Sequence, residues 1–137
     1  MRITDIVRMD AKGRVTVPAL IRETLGINEG MYLVIIGDSD TKEIILTPII
    51  SSGQSVYEVT VEFQDVPGAF ASISDELAKH GADQITTRCS TIRRGDIAEC
   101  TMVVDMSNAK VSVEELREIL NGLPEVRMVS IRPIRVV

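Results

Sequence analysis

Five cations stand close together at the start of the chain: Arg2, Arg8, Lys12, Arg14 and Arg22, opposed only by Asp5 and Asp10, a local excess of three positive charges. The whole chain carries −5, and residues 51–137 hold nine Lys or Arg against thirteen Asp or Glu. A phosphate backbone responds to the local patch and not to the total. Charge therefore permits nucleic-acid binding through the first segment only. Arginine suits that task because its planar fork donates two parallel hydrogen bonds to a phosphate or a guanine edge. Other reactive chemistry is sparse. His80 is the only histidine, and Cys89 and Cys100 are the only cysteines. A transition-metal site needs several such ligands, and a nucleophile–base pair would have to use His80, which has no motif around it. Neither G-x-x-x-x-G-K-[ST] nor G-x-G-x-x-G occurs. No catalytic residue, metal ligand or cofactor is expected, and the chain does not read as an enzyme.

The elements that must carry these residues follow from apolar spacing. Hydrophobic residues make up 45% of the chain and aromatics 3%, with no Trp, so the core must be aliphatic. No apolar run approaches the ~20 residues of a membrane span, and the N-terminus lacks a signal-peptide stretch. Two cysteines are too few for a secreted disulfide scaffold. A soluble, cytoplasmic protein with no membrane partner is expected.

Residues 1–49 read as strand, turn, strand, short helix, strand, turn, strand. Thr4–Asp10 and Arg14–Val17 are the first two strands, with Ala11-Lys12-Gly13 as the turn between them. Pro18 suits a helix start, Leu20, Ile21 and Leu25 form an apolar stripe, and Gly26 stops it. Met31–Ile36 and Glu43–Thr47 flank a turn at Gly37–Asp40. About fifty residues bury little area alone, so a dimer is the simplest remedy. Residues 50–55 have linker composition. Beyond them the pattern is β-α-β-β-α-β: strands at Val56–Phe63, Ile85–Arg93, Asp96–Val104 and Val126–Ile134, and helices at about 68–80 and from Val113. Phe70, Ile73 and Leu77 mark one helix face. Ser112-Val113-Glu114-Glu115 has the form of a capping box. This order is the ferredoxin-like α+β unit.

The string from Ile6 through Arg14-Val15-Thr16-Val17-Pro18, followed by Ile21-Arg22, Leu25-Gly26 and Ile44-Ile45-Leu46, resembles the AbrB/SpoVT-type DNA-binding domain. The resemblance implies a swapped-hairpin β-barrel built by two chains, used by prokaryotic transcription regulators and by some antitoxins. It places DNA contacts at Arg8, Arg14 and Arg22, with Lys12 in the exposed turn. Arg14 could instead pair with Asp10. Twofold symmetry would display the basic set twice, as suits pseudo-palindromic double-stranded DNA.

Residues 56–137 resemble an ACT domain, through Asp65-Val66-Pro67-Gly68-Ala69-Phe70 and then Ile73, Leu77, Ala78 and Gly81-Ala82. That resemblance implies a module that senses an amino acid or assembles subunits, with Asp65, Val66, Pro67, Gly68, Ala69, Asp83 and Gln84 as the ligand-binding set. Gly68 lets a ligand approach the backbone, and the unpaired amides of the next helix favour a carboxylate. The expected architecture is thus an AbrB-type domain at 1–49, a linker at 50–55 and an ACT-type domain at 56–137, as a homodimer or dimer of dimers. The expected function is a DNA-binding transcriptional regulator with an amino-acid effector. The alternatives are an antitoxin and a non-catalytic regulatory subunit of an amino-acid biosynthetic enzyme.

The two cysteines carry a further expectation. A two-residue Arg94-Gly95 turn pairs Arg93 with Asp96 and sets Cys89 opposite Cys100 as a hydrogen-bonded pair, Cα atoms about 5.5 Å apart. Both side chains then point to the more apolar face. A reducing compartment predicts two buried thiols there.

Overall fold

The computed structural model describes all residues, 1–137. A helix α1 (Ala19–Leu25) leads into an antiparallel hairpin, β1 (Tyr32–Asp38) and β2 (Glu43–Ile49). Then come β3 (Val56–Gln64), α2 (Ala69–Lys79), β4 (Asp83–Arg93), β5 (Ile97–Asp105), α3 (Val113–Asn121) and β6 (Val126–Pro133). These last four strands form one antiparallel sheet in the order β4-β5-β3-β6.

Strand alternation divides the sheet into two faces. Val59, Val61 and Phe63 of β3 point the same way as Ala98, Cys100, Met102 and Val104 of β5, and α2 and α3 close over them with Ile73, Leu77, Leu116 and Leu120. Each of those four helix side chains is at most 1% exposed. Burial of one such side chain stabilises by roughly 1.5–3 kcal/mol. The start of α3 is fixed as its sequence predicts: the Glu115 amide donates to Ser112 Oγ at 3.1 Å, and the Ser112 amide donates to Glu115 Oε1 at 3.2 Å.

The opposite face has no helix. There the β1–β2 hairpin packs, and Val34 and Ile49 are buried with Val56 and Val103. An ion pair between Arg88 of β4 and Asp38 at the end of β1 closes the same junction. The segment 50–55 is also fastened. Ser55 Oγ donates to Asp105 Oδ1 at 3.3 Å, and Gly53 is buried against Ile49, Tyr32 and Val136.

Several expectations are corrected. Thr4–Asp10 and Arg14–Val17 form no strand ladder within the chain. Only the turn between them is made, and Ile6, Val7, Met9 and Val15 stay exposed. Their own chain offers these segments no neighbouring strand edge. The first hairpin turns two residues later than expected, because β1 runs through Asp38, whose Oδ1 accepts the Asp40 and Thr41 amides. The second hairpin has a three-residue loop, with Arg93 opposite Ile97, and Ile92 bulges out to restore the expected pairing of Thr91 with Ala98. A second bulge lies at Ile85, between Gln84 and Thr86.

Cys89 does lie opposite Cys100, but the two form a disulfide, so the expectation of free thiols is overturned. Their Cα atoms are 4.0 Å apart. That is the close spacing of a non-hydrogen-bonded pair, not the wider hydrogen-bonded one, and it brings the sulfurs within bonding reach. Nor are both residues buried: Cys100 is in the core, whereas Cys89 is exposed on the edge strand β4.

Candidate nucleic-acid interface and ligand cleft

The basic turn is organised by one carboxylate. Asp10 Oδ1 accepts the amides of Lys12 and Arg14, each at 2.9 Å, and Oδ2 accepts Arg14 Nε at 2.8 Å. The backbone closes the same turn, with the Gly13 amide on the Asp10 carbonyl at 3.1 Å and the Asp10 amide on the Arg14 carbonyl at 3.0 Å. Gly13 takes φ +76°, a left-handed conformation that favours glycine. The Arg14 amide, then its guanidinium, hold the Asp10 carboxyl below the usual aspartate range.

Arg14 therefore makes the Asp10 pair that the sequence left open, and makes it through Nε alone. Its side chain remains 69% exposed, and its terminal Nη groups have no acceptor in the chain. Lys12 sits at the exposed tip and Arg8 is exposed without an intrachain partner. Arg22 is exposed too, and its Nη1 donates to the Val17 carbonyl, tying α1 to the segment before Pro18. Asp10 is the residue missing from the sequence-derived interface. Its signal is the spacing Asp10-x-x-Gly13-Arg14, in which a short acceptor faces amides two and four residues on.

The residues of the expected ligand set occupy two places. Asp65 is engaged: its Oδ2 accepts the Gly95 amide at 2.8 Å, and its own amide donates to the Asp96 carbonyl at 3.1 Å. The loop is thus pinned to the β4–β5 turn. Val66 is half-buried and Ala69 buried, while Pro67 and Gly68 are exposed. Gly68 has φ +84° and open space where a Cβ would stand. The Ala69 amide donates to the Val66 carbonyl, but the amides of Phe70 and Ala71 have no acceptor in the chain. Beside them lies a cleft of about 290 Å³, with Gly68, Phe70 and Ala71 on one side and Cys89, Ser90 and Thr91 on the other.

Asp83 and Gln84 lie at the other end of β4 from this cleft. Six residue steps along β4 separate Asp83 from Cys89, the nearest cleft residue on that strand, about 20 Å at the usual rise. Gln84 is a brace between strand and helix, its Oε1 accepting Ser74 Oγ at 2.9 Å and its Nε2 donating to Thr87 Oγ1 at 3.1 Å. Within one chain they do not join Gly68. The cleft residues that sequence reading missed, Cys89, Ser90 and Thr91, come from the hairpin register, which the sequence contained in outline. His80 faces Glu76, with Nε2 3.3 Å from Oε2. No group of three or more His, Cys, Asp or Glu side chains could hold a metal ion, and no helix is long and apolar enough to cross a membrane.

Asp105 is the one buried charged residue. Burial pushes its carboxyl upward, but the Ser107 amide and the hydroxyls of Ser51, Ser107 and Ser55 outweigh that and hold it below the usual range. A lowered folded value contributes stability above the unfolded value of about 3.9, which is lost as pH falls through the folded one. Asp105→Ala should cost about 1–3 kcal/mol at neutral pH. Urea unfolding of both proteins should show this gap closing as pH falls below about 3.9; a gap that stays constant down to acid pH would refute the charge as its source.

Residues 6–54 match the family model described as antidote-toxin recognition MazE, bacterial antitoxin. The UPF0237 protein MK1213 of Methanopyrus kandleri is 47% identical over 67 residues, which is 49% of this chain and 72% of that protein. Among solved structures, an unknown protein from Galdieria sulphuraria is similar with TM-score 0.49 and 23% identity over 61% of this chain. This chain spans 46% of that one, less than half its length. The C-terminal domain of the MgtC protein from Mycobacterium tuberculosis is similar with TM-score 0.46 and 18% identity, over 61% of this chain and 92% of that one. Likenesses of that degree bear on neither ligand nor partner.

Proposed function

The chain belongs to the UPF0237 family, and from that premise we propose that it is a dimeric, DNA-binding transcriptional regulator whose C-terminal part is an ACT-type module. The observation that carries the reading is the MazE-type match at 6–54, which covers the basic turn and α1. Arg8, Lys12, Arg14 and Arg22 would contact the duplex, with Asp10 positioning Arg14. In this part of the chain Val34 and Ile49 are the only buried hydrophobic residues, and Ile6, Leu20, Leu25, Ile35 and Ile44 are each more than half exposed. A second copy completing an interlaced barrel would cover such residues and give residues 4–17 their missing strand partners.

The ACT-type reading of residues 56–137 rests on the β-α-β-β-α-β order, the strand order β4-β5-β3-β6, and both helices on one face. An amino-acid effector would set its carboxylate on the Phe70 and Ala71 amides beside Gly68. Its ammonium would need an acceptor from a neighbouring chain, since Asp65 is already bound to Gly95. The antitoxin alternative draws on the description of the matching family itself. Against it, residues 56–137 form an ordered sheet with its own core, where antitoxins of this type usually append a flexible tail that wraps the toxin.

Sedimentation of the full chain at micromolar concentration should give a dimer or a dimer of dimers, and duplex DNA should co-sediment with it at low salt. A folded monomer, or a dimer indifferent to DNA, would refute the regulator. Calorimetry of the full chain against the twenty amino acids tests the effector separately, and no heat from any would leave residues 56–137 an assembly module only.

A further inference from the structure

The Cys89–Cys100 disulfide sits where none of the chemistry above uses it. It crosses the edge strand β4 to β5 and lies among the residues lining the cleft beside Gly68. Its two ends are unequal: Cys100 is 0% exposed, within the core under α2, while Cys89 is exposed. We propose that this disulfide is a thiol-exchange site, with Cys89 Sγ accepting a small-molecule thiol as a mixed disulfide that projects into the cleft.

The asymmetry dictates which sulfur reacts. Exchange requires the attacking thiolate to approach one sulfur in line with the bond, opposite the sulfur that leaves. With Cys100 on the inside, in-line approach to Cys89 comes from the solvent side. Approach to Cys100 would have to pass through the packed interior. The thiolate forms a bond to Cys89 Sγ, the Cys89–Cys100 bond breaks, and its electron pair leaves on Cys100 Sγ. That sulfur takes up the proton given up by the attacking thiol and remains a buried thiol. A second thiol can then displace Cys89, so that two small thiols end joined as a disulfide and both protein sulfurs end reduced. The strand is built to tolerate the opening. Residues 87–94 are all exposed, β4 has one free edge, and the bulges at Ile85 and Ile92 interrupt its ladder on both sides of Cys89. A carried thiol would lie against Ser90, Thr91 and the open backbone at Gly68. This inference stands whether or not the cleft binds an amino acid.

The test uses the full chain, purified without reductant and exposed to excess reduced glutathione, then quenched in acid and digested with trypsin. Arg88, Arg93, Arg94 and Lys110 place the two cysteines on separate peptides, 89–93 and 95–110, so mass mapping assigns the adduct directly. Glutathione is expected on the Cys89 peptide in about tenfold or greater excess over the Cys100 peptide, as access governs which sulfur is attacked. Comparable labelling of both peptides, or a disulfide that forms no adduct at all, would overturn the proposal. So would two titratable thiols in the untreated, denatured chain.

Discussion

Replacing both Arg8 and Arg14 by alanine is expected to lower affinity for duplex DNA by about a thousandfold or more at about 0.1 M salt, without unfolding the chain. Each phosphate contact contributes a slope of about −0.9 to log K against log salt, hence nearly tenfold in affinity at that salt. A dimer would present each residue twice, so up to four contacts vanish. If the intact dimer neutralises roughly six phosphates, its slope near −5 should fall to about −2. Arg14→Ala alone should weaken binding more than Arg8→Ala alone. It removes a cation and also releases the Asp10 carboxylate from its partner. Both side chains are exposed, and neither contributes to a core. Fluorescence anisotropy across a salt series gives both quantities. An affinity unchanged in the double variant would remove the proposed DNA face.

The largest expected loss of stability from a single methyl group is at Gly81. A Cβ there would stand 2.6 Å from the Asn108 backbone oxygen, with φ at +75°. The obstacle is main chain, held in place by the Lys110 amide on the His80 carbonyl at 2.8 Å. Gly81→Ala should therefore cost on the order of 3 kcal/mol, combining left-handed strain with a backbone clash. Gly68→Ala is the matched control. Its φ is +84°, but its Cβ would meet open space, so only the strain of about 1–2 kcal/mol applies. Urea midpoints for the two variants should differ clearly. Equal losses would mean that the contact between the end of α2 and residues 107–110 is not fixed.

The sequence made the C-terminal part legible because its elements are encoded by local contrasts. Period-two burial on β3 and β5, the i, i+3, i+7 stripe of α2 and the Ser112–Glu115 box each announce one element. The N-terminal strands failed as intrachain strands for a different reason. Residues 4–10 alternate only in part, and a strand is a pairing, for which residues 4–17 find no partner within the chain. The β4–β5 hairpin shows how two local departures can cancel. An added loop residue at Asp96 and a bulge at Ile92 leave Cys89 opposite Cys100, as the simpler turn would have. Exposure of Cys89 was not legible, because it depends on how far α2 reaches across the edge strand. The split of the expected ligand set had the same character. Asp83 and Gln84 are near Gly81 in sequence, but β4 carries the chain away from them before it returns to Gly68.

The fastening of the β1–β2 hairpin to the helix-free face has a geometric consequence. Val34 and Ile49 are buried with Val56 and Val103, and Asp38 holds Arg88. The six residues between Ile49 and Val56 thus do not act as a swivel. In a pair of such chains, the interlaced barrel would set the separation and tilt of the two basic turns, and the fastened hairpins would hold the two four-stranded sheets fixed relative to it. The pair would then behave as a ruler with fixed jaws, matching half-sites at one spacing, such as a helical turn of about 34 Å, and rejecting operators lengthened by half a turn.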